Sequence, residues 1–185
     1  MANKVEFGIS QLHVGTYTDA DGTVTLGTPY HQKGAVSFSP EEQSEQNNFY
    51  ADNIIYWSGY SGGSIEGDLE VAMFDDEFKT QFLGYRALTN GGLANVKNAS
   101  KPNVYIAFQV EGDAEARRVI LYNCTLGAIT REYDTIEENK EPATETLGVT
   151  CIGDNTTGVT MAVLKPGDTG YDTLFTAPTA PVIAP

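Results

Sequence analysis

The chain has 185 residues and 20.0 kDa, of which 41% are hydrophobic and 10% aromatic; at this size one core can bury roughly 70% of the unfolded surface without staples. Its 25 acids against 11 bases give a net charge of −14, which argues against a surface built to grip nucleic acid, because phosphate binding needs clustered Lys and Arg. Two cysteines with no CxxC, two histidines without ligand spacing and no apolar run near the roughly 20 residues of a membrane span argue against a disulfide framework, a zinc site and a membrane helix.

MANKVEFGIS lacks an apolar signal segment, so a soluble protein made in a reducing cytoplasm is expected. Residues 1–11 read as an arm or first strand, with Val5, Phe7 and Ile9 alternating with Lys4, Glu6 and Gly8. Segments 13–18 and 23–28 flank Asp19-Ala20-Asp21-Gly22, a hairpin turn in which Asp-Gly supplies positive φ. A calcium loop fails there, because Gly misses the sixth position and Tyr30 stands where a twelfth-position Glu belongs. Residues 35–39 predict a short strand, and PEEQSEQNN at 40–48 a polar acidic loop. The most aromatic segment follows, FYADNIIYWSGYSGGS, ending in a glycine turn at 59–63. Gly59-Tyr60-Ser61-Gly62-Gly63 has the look of a trypsin-like nucleophile motif, but Tyr60 replaces the usual Asp.

The chain changes period between Gly67 and Gly84. Ile65, Leu69, Val71 and Met73 alternate with Glu66, Asp68, Glu70 and Ala72, the pattern of a half-buried strand. Asp75 can cap a helix, Asp76 and Glu77 suit its first turn, Phe78 and Phe82 share one face, and Gly84 can stop it. The predicted core here is Leu69, Val71, Met73, Phe78 and Phe82, with Asp68 and Glu70 outward. It is the one clear helix of a β-rich chain.

Beyond it, Asn90-Gly91-Gly92 is a turn and 104–110 a strand. Residues 117–125 form a strand whose apolar run from Val119 to Tyr122 implies contacts on both faces. GAITREYDTIEENKEPATE at 127–145 is a long charged excursion, and 145–152 resumes strand character. Folding this stretch about residues 137–138 places Cys124 opposite Cys151, expected as two buried thiols. A strand at 158–164 and an ordered piece at 171–175 precede TAPTAPVIAP, an extended tail. The expected organisation is one domain over 1–176 and a Pro/Ala-rich tail over 177–185. The expected fold is mainly β: an antiparallel sandwich or partly closed barrel with one flanking helix. Capping explains Asp75-Asp76-Glu77, and no phosphate loop or dinucleotide fingerprint occurs, so neither an enzyme nor a cofactor or metal is expected.

At FYADN, GDLEVAMFDDEF…FLG, and RRVILYNCT followed by a charged gap and ETLGVT, the sequence resembles the major tail proteins of long-tailed phages of Gram-positive bacteria, the phi13-type group above all. The resemblance covers about residues 1–164. It implies a tail-tube fold, subunits in generally hexameric rings, rings stacked into a DNA-conducting tube, and no catalytic residues. It implies partners in further copies of itself and in tape-measure, initiator and terminator proteins, with DNA in transit, no membrane, and a place in the virion after synthesis in the host cytoplasm. Six copies at −14 each would carry −84 per ring, and an acidic channel repels duplex DNA. Asp68 and Glu70 are candidates for the lumen or ring surface. Arg131 and Lys140, among Glu132, Tyr133, Asp134, Glu137, Glu138 and Glu141, are candidates for contact with the next ring, as is the 40–48 loop for assembly. The competing readings are a tail terminator or type VI tube-like component, and a carbohydrate-binding sandwich using Tyr56, Trp57 and Tyr60.

Overall fold

Eleven strands and one helix make up the computed structural model, which describes residues 8–133 and 142–183. In chain order they are β1 (Gly8–Ala20), β2 (Thr23–Leu26), β3 (Tyr30–His31), β4 (Ala35–Ala51), β5 (Ile54–Val71), α1 (Asp76–Phe82), β6 (Arg86–Ala87), β7 (Leu93–Ala94), β8 (Val104–Glu111), β9 (Arg118–Arg131), β10 (Glu145–Cys151) and β11 (Met161–Leu164). The main sheet is antiparallel in the order β2-β1-β8-β9-β10-β5-β4, with β3 on β1 and β11 on β9. β6 and β7 pair separately. The sheet is an open one, not a closed barrel: among the described residues no ladder joins β1 to β4.

The β1–β2 turn falls on Asp21 and Gly22, both with positive φ, as the Asp-Gly signal predicts. The central strands β8 and β9 are apolar on both sides, and each side has its own core. Ile106, Leu121 and Cys124 face Leu12, Val14, Ile65, Leu69 and Val71 together with the helix. Tyr105, Ala107, Ile120 and Tyr122 face Tyr17 and Leu174. The C-terminal segment closes this second side. The Tyr171 hydroxyl donates to the Ala116 carbonyl at 2.7 Å, and the Arg118 guanidinium lies over the Tyr171 and Phe175 rings. The Tyr122 hydroxyl donates to the carbonyl of Thr179, so the start of the proline-rich tail lies back against the body and does not extend from it. His13 is stacked between His31 and Phe175, 4.6 Å from each, and burial lowers its pKa, with His31 and Arg118 adding to the effect.

The helix is short, and packing holds it. Phe78 and Phe82 are buried, the Phe78 ring lying 4.8 Å from Phe74 and 5.1 Å from Phe82. Seven residues are too few to be helical alone in water, so this docking holds the turn together. Asp75 occupies the N-cap without a side-chain cap bond; its carboxylate instead accepts from the Tyr30 hydroxyl at 3.1 Å. Gly84 has φ +73, the left-handed conformation expected just beyond the helix.

Several expectations are corrected. Met73 is 53% exposed and outside the core, because β5 ends at Val71 and the alternation stops with it; Phe74, 1% exposed, turns inward instead. Residues 40–48 are not a loop and 59–63 not a turn: both belong to the long β4–β5 hairpin. Its turn is at Asp52 and Asn53, with φ +51 and +63, the positive pair that matches the twist of two strands. The 127–145 excursion is shorter than expected, since β9 runs to Arg131 and β10 begins at Glu145, its partner in the ladder. Cys124 and Cys151 do face each other in register, but the sulfurs are bonded and not free thiols. The ladder sets the two side chains next to each other on one face, within reach of a bond. Val5, Phe7, Asp134, Glu137, Glu138, Lys140 and Glu141 lie outside the described residues.

Candidate assembly surfaces

The inner face of β5 carries Ile65, Leu69 and Val71, and its outer face Glu66, Asp68 and Glu70. The ladders set what lies beside these acids. Ser37, Ser39 and Glu41 of β4 pair with Glu70, Asp68 and Glu66, and Thr146, Gly148 and Thr150 of β10 pair with the same three. A groove follows, lined by Ser39, Glu41, Glu66, Asp68, Thr125 and Thr150 among others, with no Lys or Arg. Gly67, Gly127 and Gly148 are also among its lining, and the backbone is close there: a Cβ on Gly67 would run into the Ser39 carbonyl. Asp68 is exposed. Glu70 accepts from the Thr144 hydroxyl at 2.6 Å and the Ser37 hydroxyl at 3.0 Å, and these two donors, Thr144 first, hold its carboxyl below the usual range. The face is acidic and made of small side chains.

Beyond this face the β4–β5 hairpin leaves the body. From Glu41 to Ser58 all but Ala51 are exposed, so the ribbon has solvent on both sides. Its end carries Phe49, Tyr50, Ile54, Ile55, Tyr56, Trp57 and Tyr60, each more than half exposed. Phe49 pairs with Trp57 and Tyr50 with Ile55 across the ladder, so both faces of the arm end in apolar groups. The Trp57 ring lies along the ribbon over Gly59, where a Cβ would strike it. Gln46 to Ser58 and Asn47 to Ser61 side-chain bonds stiffen the stem. Sequence reading singled out the aromatics but placed them before a turn; the polar stem conceals the strand, because with neither face buried no apolar period of two remains.

A third feature joins the elements beneath. Glu145, 3% exposed, accepts from the Phe74 backbone N–H at 2.7 Å and pairs with Arg131 at 3.2 Å and Lys79 at 3.4 Å. Arg131, proposed from sequence for contact between rings, is therefore engaged within its own chain; its guanidinium also lies 4.9 Å from the Tyr133 ring. Tyr133 is 83% exposed and Glu132 is exposed. Among the described residues no group of three or more His, Cys, Asp or Glu side chains could hold a metal ion, and no helix is long and apolar enough to cross a membrane.

The chain is thus an open antiparallel sheet with one docked helix and a projecting, apolar-ended arm. The family model described as "Phage tail tube protein" matches residues 2–157, and the chain belongs to that family. It is a tail tube-type structural protein. No curated protein matches it in sequence. Solved structures similar to it include the tube-terminating cap of the anti-feeding prophage, at 10% identity over 88% of this chain and 95% of that one, with a TM-score of 0.49. Another is the extended sheath–tube complex of the extracellular contractile injection system PVC, at 9% identity over 84% and 88%, TM-score 0.48. A third is the tail of an empty GTA particle, at 16% identity over 85% and 96%, TM-score 0.41.

Proposed function

We propose that the chain is the major tail tube subunit of a long-tailed phage with a non-contractile tail, of the phi13-type group. Its copies close into rings, six to a ring, and the rings stack into the conduit for DNA. The observation that carries this reading is the arm. Seven large apolar side chains on a ribbon with no cover of its own mark a surface that is completed by a neighbour. Ring symmetry gives every copy the same neighbour and leaves no arm unpaired. The acidic, base-free outer face of β4, β5 and β10 is the lumen lining in this reading, with Asp68 and Glu70 on it. Fixed negative charge there repels the DNA backbone, and small hydroxyl and glycine positions give DNA little to hold. The connection after Arg131, with Glu132 and Tyr133, is the place for contact with the next ring. Tape-measure, initiator and terminator proteins are the further partners, and the site of action is the virion tail.

Negative-stain micrographs of the concentrated protein test the reading: hollow tubes with a regular axial repeat are expected. Single rings that do not stack would point to a terminator, and binding on a glycan array through Tyr56, Trp57 and Tyr60 to a carbohydrate module. Joining Ser44 to Gly62, which face each other in the ladder, through an Asn-Gly turn removes the arm's end. This variant should keep a cooperative thermal unfolding transition and form no tubes; normal tubes would count against the arm. For the lumen, Asp68→Lys with Glu70→Lys should leave the subunit folded and give tubes that retain duplex DNA in a co-sedimentation assay, where wild-type tubes do not. If those changes unfold the subunit, the face is wrongly assigned.

A further inference from the structure

Charge is segregated along this chain in a way that bears on where the arm goes. Residues 34–78, which contain the whole β4–β5 arm, hold ten acids and no base. Residues 78–110 hold Lys79, Arg86, Lys97 and Lys101 and no acid. Two of those bases are engaged: Lys79 pairs with Glu145, and Lys101 donates to the Leu126 and Gly127 carbonyls. Arg86 and Lys97 are exposed and have no hydrogen bond or ion pair among the described residues. They sit on the β6–β7 excursion, residues 86–97, whose two strands pair outside the main sheet; Arg86 is in β6 and Lys97 follows the end of β7. The same excursion exposes Leu88 at 49% and Val96 at 38%.

We propose that the β6–β7 excursion of one copy receives the β4–β5 arm of an adjacent copy, Arg86 and Lys97 facing the arm's acids while Leu88 and Val96 meet its aromatic end. The inference rests on the tube reading and specifies the contact within it. The occupant is a second copy for a physical reason. At −14 per chain, two copies repel in net charge, and an acidic arm needs a landing place poor in carboxylates. The β6–β7 excursion lies in the longest acid-free stretch of the chain and adds two cations unpaired among the described residues and two exposed apolar side chains. A pair of complementary charges fixes register and suppresses wrong contacts, while the apolar burial supplies affinity.

Sedimentation of assembled protein against concentration tests this. Arg86→Glu with Lys97→Glu should raise the concentration needed for assembly by about tenfold or more, since like charges then face each other, and leave the thermal unfolding of the free subunit unchanged. Adding Glu42→Lys and Glu45→Lys on the arm should restore assembly. Adding Glu115→Lys and Asp172→Lys, which returns the net charge to the same −14 but lies off the arm, should not. Unimpaired assembly of the Arg86/Lys97 variant, rescue by both lysine pairs, or rescue by neither would each overturn the docking while leaving the tube reading intact. A wild-type chain that never assembles would overturn both. Binding of the arm to another tail protein, with no effect of Arg86 and Lys97 on self-assembly, would assign the arm to that partner instead.

Discussion

Phe78→Ala is expected to destabilise the subunit by about 3–5 kcal/mol, measured by urea or guanidinium unfolding. The side chain is 0% exposed and touches Phe74 and Phe82 ring to ring, with Tyr30 at 6.2 Å. Alanine would remove a ring that the seven-residue helix cannot replace by shifting, because Phe82, Leu83 and the Lys79–Glu145 ion pair hold it in place. The loss is a large part of the roughly 5–15 kcal/mol that a domain has in all. Phe78→Leu keeps most of the volume and should cost about 1–1.5 kcal/mol. Far-UV circular dichroism is the readout to use. The one tryptophan, Trp57, is 57% exposed on the arm and does not report on the core. An alanine variant within 1 kcal/mol of wild type would mean, by the usual core-truncation scale, that the helix is not docked as described.

Glu145→Ala should have an effect of similar size, about 3–5 kcal/mol, through a different cause. One oxygen of Glu145 accepts from the Phe74 N–H, and the other is shared by Arg131 and Lys79. Truncation leaves a buried N–H without an acceptor and two cations without their counter-charge. Glu145→Gln keeps an acceptor for Phe74 but loses the charge and sets an NH2 donor before Arg131 and Lys79; it still spares the Phe74 N–H, so it should cost less than alanine, about 1.5–3 kcal/mol. The order Ala, then Gln, then wild type is the result to look for in denaturant unfolding. Equal losses would mean that the ion pairs alone matter.

Elements whose apolar residues follow a period were readable from the chain alone. Leu69 and Val71 with Asp68 and Glu70 between them, the Phe78–Phe82 spacing and the Asp21-Gly22 turn follow from local pattern, the Cys124–Cys151 register follows from folding one hairpin about its centre, and the structure has each of them. The long β4–β5 hairpin did not. Its stem is Gln, Asn, Ser, Glu and Gly with water on both sides, so no side-chain period marks it as strand. Backbone pairing over the whole length of β4 does so instead. Met73 failed for a related reason: its alternation was right, but the strand ended two residues earlier.

By itself, then, the sequence determined the β class, the single helix, the strong negative charge and the membership of a tail-tube-like set of features. These depend on composition and short-range pattern. Only the tertiary structure decided that acid-rich residues 41–48 and the aromatic run after them form one projecting arm, that Arg131 is tied down by Glu145, and that the acids of β5 lie on a face free of bases. Those outcomes depend on which strands lie side by side. Pairing partners far apart in sequence are set by long-range packing and backbone hydrogen bonds, which leave no mark in a local window.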